Sequence, residues 1–122
     1  MDFTTQPYLS LETYRKNGEP MRTPVWFVRD GDKIYIRTVA NSGKVKRLRA
    51  KPRLRVALCD RVGNVTGRWV AATGREVRDD PALYERVDRL LDEKYGEIKR
   101  QLAAQAAAEG RVYTILEIRL DE

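Results

Sequence analysis

Histidine is absent from this sequence of 122 residues, and cysteine occurs once, at Cys59. Without histidine the chain lacks the commonest protein metal ligand and the usual general base, so we predict no metal site and no Ser-His or Cys-His nucleophile. One cysteine cannot form an internal disulfide bond, and we expect Cys59 to be a buried, unreactive thiol in a reducing compartment. If the protein is an enzyme, a bound cofactor is expected to carry the chemistry.

Long apolar runs are also missing, since none approaches the roughly 20 residues that a membrane-spanning helix needs. The first 14 residues contain an early acid and no apolar block, which is not typical of a secretory signal peptide. We therefore expect a cytoplasmic protein. Its composition, 42% hydrophobic and 34% charged, is that of a globular protein, and its length predicts one domain over residues 1–122.

Acidic residues are missing between Asp32 and Asp60, where nine of the 24 basic residues lie. The rest of the chain holds 15 basic and 18 acidic residues, so the net charge of +6 comes from this one stretch. A local excess of cations indicates an anion-binding site more than a uniformly basic surface. We call the nine cations the basic segment: Lys33, Arg37, Lys44, Lys46, Arg47, Arg49, Lys51, Arg53 and Arg55.

Alternating apolar and polar residues, separated by turn-forming sequences, predict six strands. Pro24 predicts an edge or an unpaired position in the second strand, and Gly74 predicts a bulge in the fifth. In the fourth strand Leu54, Val56 and Leu58 are expected to face the core. The predicted strands cover residues 7–16, 21–29, 33–39, 53–60, 68–77 and 112–120.

Two helices are predicted, a short one after the third strand and a longer one before the last. Ser42 has the residue type of an N-cap for the short helix, which is expected to end before Pro52. Asp80 and Pro81 mark the start of the longer helix, in which Gly96 predicts a break. The longer helix carries an apolar stripe, which is expected to form core or dimer contacts: Leu83, Val87, Leu91, Tyr95, Ile98 and Leu102. A glycine cap is predicted after the stripe, at Gly110. Because most strands are not followed by a helix, the predicted fold class is mainly β, an antiparallel barrel with helical insertions.

The start of the short helix carries cations at a position where acidic residues are normally found, because a helix N-terminus is partially positive. The N–H groups from Ser42 to Lys44 predict an anion pocket, to which Lys44 adds a charge and Arg47 a bidentate donor. Thr38, at the end of the preceding strand, can add a hydroxyl. The alternative is a solvated helix face whose charges salt screens within about 8–10 Å. The missing acids and the order Thr, turn, Ser-Gly-Lys favour a phosphate site.

Three motifs in this order resemble the pyridoxamine 5′-phosphate oxidase-like superfamily: TPVWF (23–27), IRTVANSGKVKRLRAKPRLRVALCD (36–60) and GRWV (67–70). Within it, the resemblance is to small actinobacterial proteins described as deazaflavin-dependent oxidoreductases. It spans nearly the whole chain, and SGKVKRLRxxPRxRV is its most specific part. It implies a split β-barrel homodimer with a flavin or deazaflavin in a groove at the dimer interface, and hydride transfer to a small organic acceptor. Family members often carry a helix before the first strand, and about six residues precede the predicted first strand here.

The resemblance also assigns cofactor-binding roles, residue by residue. The phosphate-binding motif of the family is matched by Thr38, Ser42 and Lys44. Lys46 or Arg47 is expected to assist them in binding the phosphate. The positions that match the strand along the ring system are Thr23, Val25 and Trp26. Trp69 matches a position near the interface, where the partner subunit can supply it. No catalytic side chain is assigned, although Tyr8, Tyr14 or Tyr113 could donate a proton.

Two cofactors are compatible with the basic segment. FMN carries one phosphate, which two or three cations would satisfy, whereas coenzyme F-420 (8-hydroxy-5-deazaflavin) adds an oligoglutamate tail that suits nine cations better. Seventeen arginines against seven lysines indicate a GC-rich genome, as in actinobacteria. We therefore predict coenzyme F-420, with FMN as the alternative.

Other functions remain open from the sequence. The protein could bind a cofactor without turnover, or it could be a basic barrel that binds single-stranded nucleic acid through cations and stacking aromatic residues. The acidic remainder of the chain argues against nucleic acid as the partner. The aromatic residues fit either ring contact or ordinary packing in the core or at an interface: Trp26, Tyr35 and Trp69.

Overall fold

The computed structural model describes residues 6–98, 101, 110 and 112–121. These residues form seven strands: β1 (Leu9–Tyr14), β2 (Pro20–Val25), β3 (Val28–Asp30), β4 (Lys33–Val39), β5 (Arg53–Leu58), β6 (Val70–Val77) and β7 (Tyr113–Leu120). Helix α1 (Gly43–Ala50) lies between β4 and β5, and α2 (Pro81–Tyr95) lies between β6 and β7. The strands form one sheet in the order β2-β1-β5-β6-β7-β4-β3, and each neighbouring pair is antiparallel. The mainly-β antiparallel fold with two helical insertions is therefore confirmed.

The strand predicted over residues 21–29 is two strands, and the break between them curls the sheet. β2 pairs with β1 at one edge, whereas β3 pairs with β4 at the opposite edge. Only Trp26 and Phe27 separate them, so the two edges lie within about 11 Å of each other at this crossover. The prediction of a single strand over residues 21–29 was wrong, because the alternation of apolar and polar residues does not reveal a change of strand partner.

Two special residues of the strands have different outcomes. Pro24 lies in the edge strand β2, as predicted. Gly74 was predicted to form a bulge, which is wrong, because β6 keeps an unbroken register on β7 with Gly74 opposite Ile118. A Cβ at Gly74 would lie 2.6 Å from Leu54 Cδ2 and 3.6 Å from Leu48 Cδ1. The glycine is therefore needed for close packing of β5 and α1 on β6.

The inner face of the curled sheet carries the main core, and α1 closes one end of it. Val45 and Leu48 of α1 are buried in this core. Leu54 and Val56 are buried there as predicted, and Leu58 packs against it while partly buried. Burying each such side chain contributes about 1.5–3 kcal/mol. Cys59 is 4% exposed, and burial, followed by Asp60, raises the pKa of its thiol, which confirms the buried thiol.

α2 packs on the outer face of the sheet and begins as the sequence predicts. The Asp80 carboxylate accepts a 3.1 Å hydrogen bond from the Leu83 N–H, and the helix ends at Tyr95 before Gly96, whose φ is +58°. The apolar stripe packs in the outer core as far as Tyr95: Leu83, Val87, Leu91 and Tyr95. Ile98 is 61% exposed and does not belong to that core. The predicted stripe position Leu102 and the helix end before Gly110 lie outside the described residues. None of the described helices has both the length and the apolar composition to cross a membrane.

Candidate anion-binding site

Ser42 occupies the N-cap position of α1, but its side chain makes no capping hydrogen bond. Its N–H donates to the Val39 carbonyl over 3.1 Å. The prediction that this amide is free to bind an anion was therefore wrong. The Ser42 Oγ is buried and, within the described part of the chain, has no hydrogen-bond partner. A buried hydroxyl without a partner costs about 1–3 kcal/mol, and an anion acceptor would remove that cost.

Lys44 lies one residue into α1 and is half-buried. Its Nζ donates a 3.1 Å hydrogen bond to Thr38 Oγ1, and Thr38 itself is 7% exposed. Burial, and then the neighbouring charge of Arg47, lowers the pKa of the Lys44 ammonium. A bound anion would oppose both effects, because it favours the charged form of the lysine.

Arg47 lies on the same flank of α1 as Lys44. Its Nε donates a 2.7 Å hydrogen bond to Thr13 Oγ1 at the end of β1. A Cβ built at Gly43 would lie 2.7 Å from Arg47 Nη1, so the guanidinium lies directly over the start of the helix. Burial and the charge of Arg15 lower the pKa of Arg47. Thr13 carries no sequence motif, and it was missed because only the tertiary fold brings it to α1.

The structure separates the basic segment into paired and unpaired cations. Lys51 donates to the main-chain carbonyls of Arg15 and Lys16. Five others form ion pairs with carboxylates outside the segment: Lys33 with Glu117, Arg37 with Asp88, Arg49 with Glu76, Arg53 with Asp121 and Arg55 with Glu12. Within residues 6–98 and 112–121, no carboxylate pairs with the remaining three, which all lie on α1: Lys44, Lys46 and Arg47. The unpaired charge of the basic segment is thus concentrated on one helix, α1.

Lys46 differs from the other two unpaired cations. It is exposed, and it is two residues from Lys44, which on a helix is nearly the opposite side. Its charge fits the solvated-face interpretation. The structure therefore brings Ser42, Lys44, Arg47 and Thr38 together and leaves Lys46 apart from them.

The core-facing side of β2 continues towards this group. Arg47 contacts Thr13, and Thr13 pairs with Met21 of β2. Thr23 follows two residues later on the same face, about 7 Å along the strand. A ligand that spans this distance could contact Thr23 and the anion-binding residues from one side of the sheet.

Val25 and Trp26 already have packing partners within the chain. Val25 is 9% exposed and belongs to the inner core, so its main chain is what remains for ligand contact. The Trp26 ring is stacked on Tyr95, with centroids 4.3 Å apart and planes 8° from parallel. Tyr35 is buried in the outer core and donates to Glu117 Oε2 over 3.3 Å. Of the two roles left open for these aromatic residues, Tyr35 and one face of Trp26 therefore have the packing role.

Trp69 lies on the opposite side of the sheet from Thr23. Its ring is flanked by the guanidinium carbons of Arg22 and Arg55, 4.8 and 5.1 Å from the ring centroid. Both arginines bind the fully buried Glu12 through Nε, at 2.8 and 2.7 Å. Arg22 and Thr23 are consecutive in β2 and so point to opposite faces. Within one chain, Trp69 is not part of the anion-binding group.

The candidate proton donors are spread over the fold. Tyr14 donates a 2.7 Å hydrogen bond to Glu12 Oε1, and burial, followed by Glu12, raises its pKa. The Tyr113 ring lies under the Arg37 guanidinium at 4.6 Å. Tyr8 is partly buried before β1. These positions do not select one tyrosine as a donor.

A separate cavity, of about 450 Å³, is lined by residues of β6, β7 and the start of α2, and by Arg49 of α1. Its polar lining includes Arg49 and Arg78, which both bind Glu76 Oε1, at 2.8 and 2.9 Å. Tyr84 and Tyr113 add aromatic surface. The positive charges here are compensated by carboxylates, which distinguishes this cavity from the start of α1.

The family described as pyridoxamine 5′-phosphate oxidase matches residues 2–122. No curated protein sequence matches the chain. The heme storage protein HutZ from Vibrio cholerae has a similar structure (TM-score 0.72, 16% identity, 96% of this chain and 83% of that chain). An FAD-binding protein from Mesorhizobium loti is also similar (TM-score 0.66, 17% identity, 98% of this chain and 82% of that chain). The same holds for an F420 reductase (TM-score 0.58, 17% identity, 100% of this chain and 96% of that chain). At these identities the solved structures show a common fold.

Proposed function

Because the chain belongs to the pyridoxamine 5′-phosphate oxidase family, we propose that it binds a phosphate-bearing flavin or deazaflavin and acts as an oxidoreductase. The observation that carries the proposal is the start of α1. There the buried Ser42 hydroxyl is close to Lys44 and Arg47. Among the described residues, the hydroxyl has no hydrogen-bond partner and the two cations have no carboxylate partner. A phosphate would supply the acceptor and the negative charge that these groups lack.

Hydroxyl groups orient the two cations without neutralising them. Thr38 accepts from Lys44, and Thr13 accepts from Arg47. A carboxylate in either place would compete with phosphate for the same charge, whereas a neutral hydroxyl leaves it available. The helix dipole adds about 0.3–1 kcal/mol for each charge contact at an exposed site. This arrangement fits the phosphate group of the proposed cofactor.

The choice between the two cofactors rests on the motif resemblance, which favours coenzyme F-420 over FMN. The F420 reductase that shares the fold is consistent with it. The number of cations no longer adds support, because five of the nine in the basic segment pair with carboxylates and Lys51 binds main-chain carbonyls. The two cations of the site, Lys44 and Arg47, suffice for one phosphate, so FMN remains the alternative.

When bound, a flavin or deazaflavin supplies hydride transfer, which no side chain of a histidine-free protein has to provide. We propose that Ser42, Lys44 and Arg47 hold its phosphate and that Thr23 and the main chain of Val25 contact its ring system. The chain would act as a homodimer in which the partner's Trp69 completes the groove, since Trp69 lies on the far side of the sheet within one chain. The acceptor would be a small organic molecule.

The nucleic-acid alternative loses support from the ion pairing. A single-stranded nucleic acid is bound through many unpaired cations along a groove, but five cations of the basic segment are paired with carboxylates. Binding of a cofactor without turnover remains the second candidate. Steady-state reduction of candidate acceptors by the loaded protein separates a catalyst from a carrier.

The test of the proposal is a titration of the purified protein with FMN and, separately, with oxidised and reduced coenzyme F-420. Fluorescence of the two ring systems reports binding. We expect at least one cofactor to bind with a dissociation constant below about 100 µM. Absence of binding for both, with a protein shown to be folded by circular dichroism, would contradict the proposal.

A further inference from the structure

The cavity of about 450 Å³ beside β6 and β7 is not used by the proposed cofactor site, since none of the residues assigned to the cofactor lines it. Its volume lies within the range of roughly 300–1,000 Å³ that is usual for small-molecule sites. Five charged residues line it: Arg49, Glu76, Arg78, Asp79 and Asp80. We call it the Glu76 cavity, after the residue that organises its positive charge.

Glu76 is a buried carboxylate that holds two guanidinium groups together at the cavity. Its side chain is 8% exposed, and its Oε1 accepts from Arg49 over 2.8 Å and from Arg78 over 2.9 Å. The Thr114 hydroxyl also binds the carboxylate. A guanidinium has five N–H donors, so each arginine retains donors that Glu76 does not use. Two positive charges on one carboxylate leave a net positive charge, which suits the carboxylate of a ligand.

Two further carboxylates line the same cavity where α2 begins. Asp80 accepts a 3.1 Å hydrogen bond from the Leu83 N–H, which uses only part of its capacity as an acceptor. Asp79 has no hydrogen-bond or ion-pair partner among the residues that the structure describes. The two side chains repel a ligand whose only charge is negative, and they attract a cationic group. The charged lining is therefore complementary to a ligand that carries both signs of charge.

The rest of the lining is mainly apolar and partly exposed. Val77, Leu83 and Ile115 contribute to it from β6, α2 and β7. Tyr84 and Val112 also line the cavity, and their side chains remain 37% and 69% exposed. Exposed apolar surface inside a cavity, next to a few polar groups, is typical of a site for a small molecule with an apolar part.

We propose that the Glu76 cavity binds a free α-amino acid with an apolar side chain. The carboxylate of the ligand binds the guanidinium groups of Arg49 and Arg78, its ammonium group binds Asp79 and Asp80, and its side chain packs on the apolar part of the lining. Each part of the lining then has its complement in one small molecule. The proposal does not depend on the proposed function, because the cofactor is assigned to other residues.

The experiment is isothermal titration calorimetry of the whole purified protein with L-phenylalanine and, separately, with L-leucine. Two analogues of phenylalanine each lack one charge: 3-phenylpropanoate has no ammonium group, and phenethylamine has no carboxylate. We expect at least one amino acid to bind with a dissociation constant below about 1 mM, and each analogue to bind about tenfold more weakly than phenylalanine. Absence of binding for both amino acids, or equal affinity for phenylalanine and its two analogues, would overturn the proposal.

Two variants test the two charged parts separately. Arg78→Gln leaves Glu76 bound to Arg49, and we expect it to lose most of the preference for phenylalanine over phenethylamine. Asp79→Asn is expected to lose most of the preference over 3-phenylpropanoate. Arg53→Gln is the matched control, because it removes an arginine that is 73% exposed and pairs with Asp121 away from the cavity. Retention of both preferences in Arg78→Gln and Asp79→Asn, or their loss in Arg53→Gln, would contradict the proposal.

Cofactor binding separates this inference from the proposed function. Arg78→Gln and Asp79→Asn are expected to bind FMN or coenzyme F-420 as the native protein does, because neither residue is assigned to the cofactor. A native protein that binds the amino acid but neither cofactor would contradict the proposed function alone. A native protein that binds a cofactor but neither amino acid would contradict this inference alone.

Discussion

Arg47 Nε lies 2.7 Å from Thr13 Oγ1, and this hydrogen bond joins the start of α1 to the end of β1. Lys44 makes the equivalent contact with Thr38 at the end of β4. The two cations are therefore each held by a neutral hydroxyl group. Such an arrangement preserves positive charge at a helix N-terminus, where it is unfavourable until an anion binds.

Removing the Lys44 charge is expected to weaken cofactor binding. A charge-assisted hydrogen bond to phosphate contributes about 1–2 kcal/mol, so Lys44→Ala is predicted to raise the dissociation constant roughly 5- to 30-fold. Lys46→Ala is the matched control, because it removes the same charge from the exposed side of the same helix. It is expected to change the constant less than about twofold in 150 mM salt. Equal effects of the two substitutions in a fluorescence titration would indicate a diffuse charge effect and not a site.

Ser42→Ala is predicted to weaken cofactor binding without destabilising the free protein. The Ser42 hydroxyl has no partner in the described structure, so its removal leaves no hydrogen bond broken and relieves a buried polar group. Asp80→Ala is the contrasting N-cap variant, because the Asp80 side chain accepts from the Leu83 N–H, and it is expected to cost about 1 kcal/mol. Urea unfolding of the cofactor-free variants measures both effects. A loss in Ser42→Ala as large as that in Asp80→Ala would show that the hydroxyl caps the helix.

Gly43→Ala is predicted to act through Arg47. The added Cβ would lie 2.7 Å from Arg47 Nη1, and the flexible guanidinium would move away from the helix start. Cofactor binding is expected to weaken in Gly43→Ala and in Arg47→Ala, but the double variant is expected to be no worse than Arg47→Ala alone. Additive losses in this double-mutant cycle would mean that the two residues contact the cofactor independently.

Glu12 is predicted to control stability in acid. Burial alone would raise its pKa, but hydrogen bonds from Arg55, Arg22 and Tyr14 lower it from 4.5 to about 2. Because the folded-state pKa is depressed, the stabilisation is complete above about pH 5 and is lost as the pH falls towards 2, on the order of 3 kcal/mol in total. Glu12→Gln is expected to be less stable at pH 7 and to lack this pH-dependent loss. Urea unfolding at pH 7, 5, 4 and 3 measures this dependence, and Glu19→Gln, at an exposed position, is the control. If the free energy of unfolding of Glu12→Gln fell with pH as steeply as that of the native protein, Glu12 would not be the group responsible.

Local features of the fold were predictable from the sequence, and long-range ones were not. The Asp80 cap, the end of α1 before Pro52 and the core positions of β5 follow from residue type and spacing over a few positions. The division of residues 21–29 into β2 and β3 depends on which edge each half joins, and alternation carries no such information. Alternation places a charged residue of a strand on the solvent face, yet Glu12 of β1 is fully buried, because Arg22 and Arg55 bind it from the neighbouring strands β2 and β5.

The candidate site shows the same division. The order of Thr38, Ser42 and Lys44 along the chain predicted their proximity, since a strand end and a helix start are adjacent. Thr13 was missed because it lies 34 residues from Arg47. The count of nine cations overestimated the charge available to a ligand, because the carboxylates that pair with five of them are distant in sequence.

The most direct measurement compares ligands with and without phosphate, in the native protein and in Lys44→Ala. The pairs are FMN against riboflavin, and coenzyme F-420 against its phosphate-free deazaflavin nucleus. For the cofactor that binds, the native protein is expected to prefer the phosphate-bearing form at least tenfold, and Lys44→Ala is expected to lose most of that preference. A preference that is absent in the native protein, or that Lys44→Ala retains in full, would contradict a phosphate site at the start of α1.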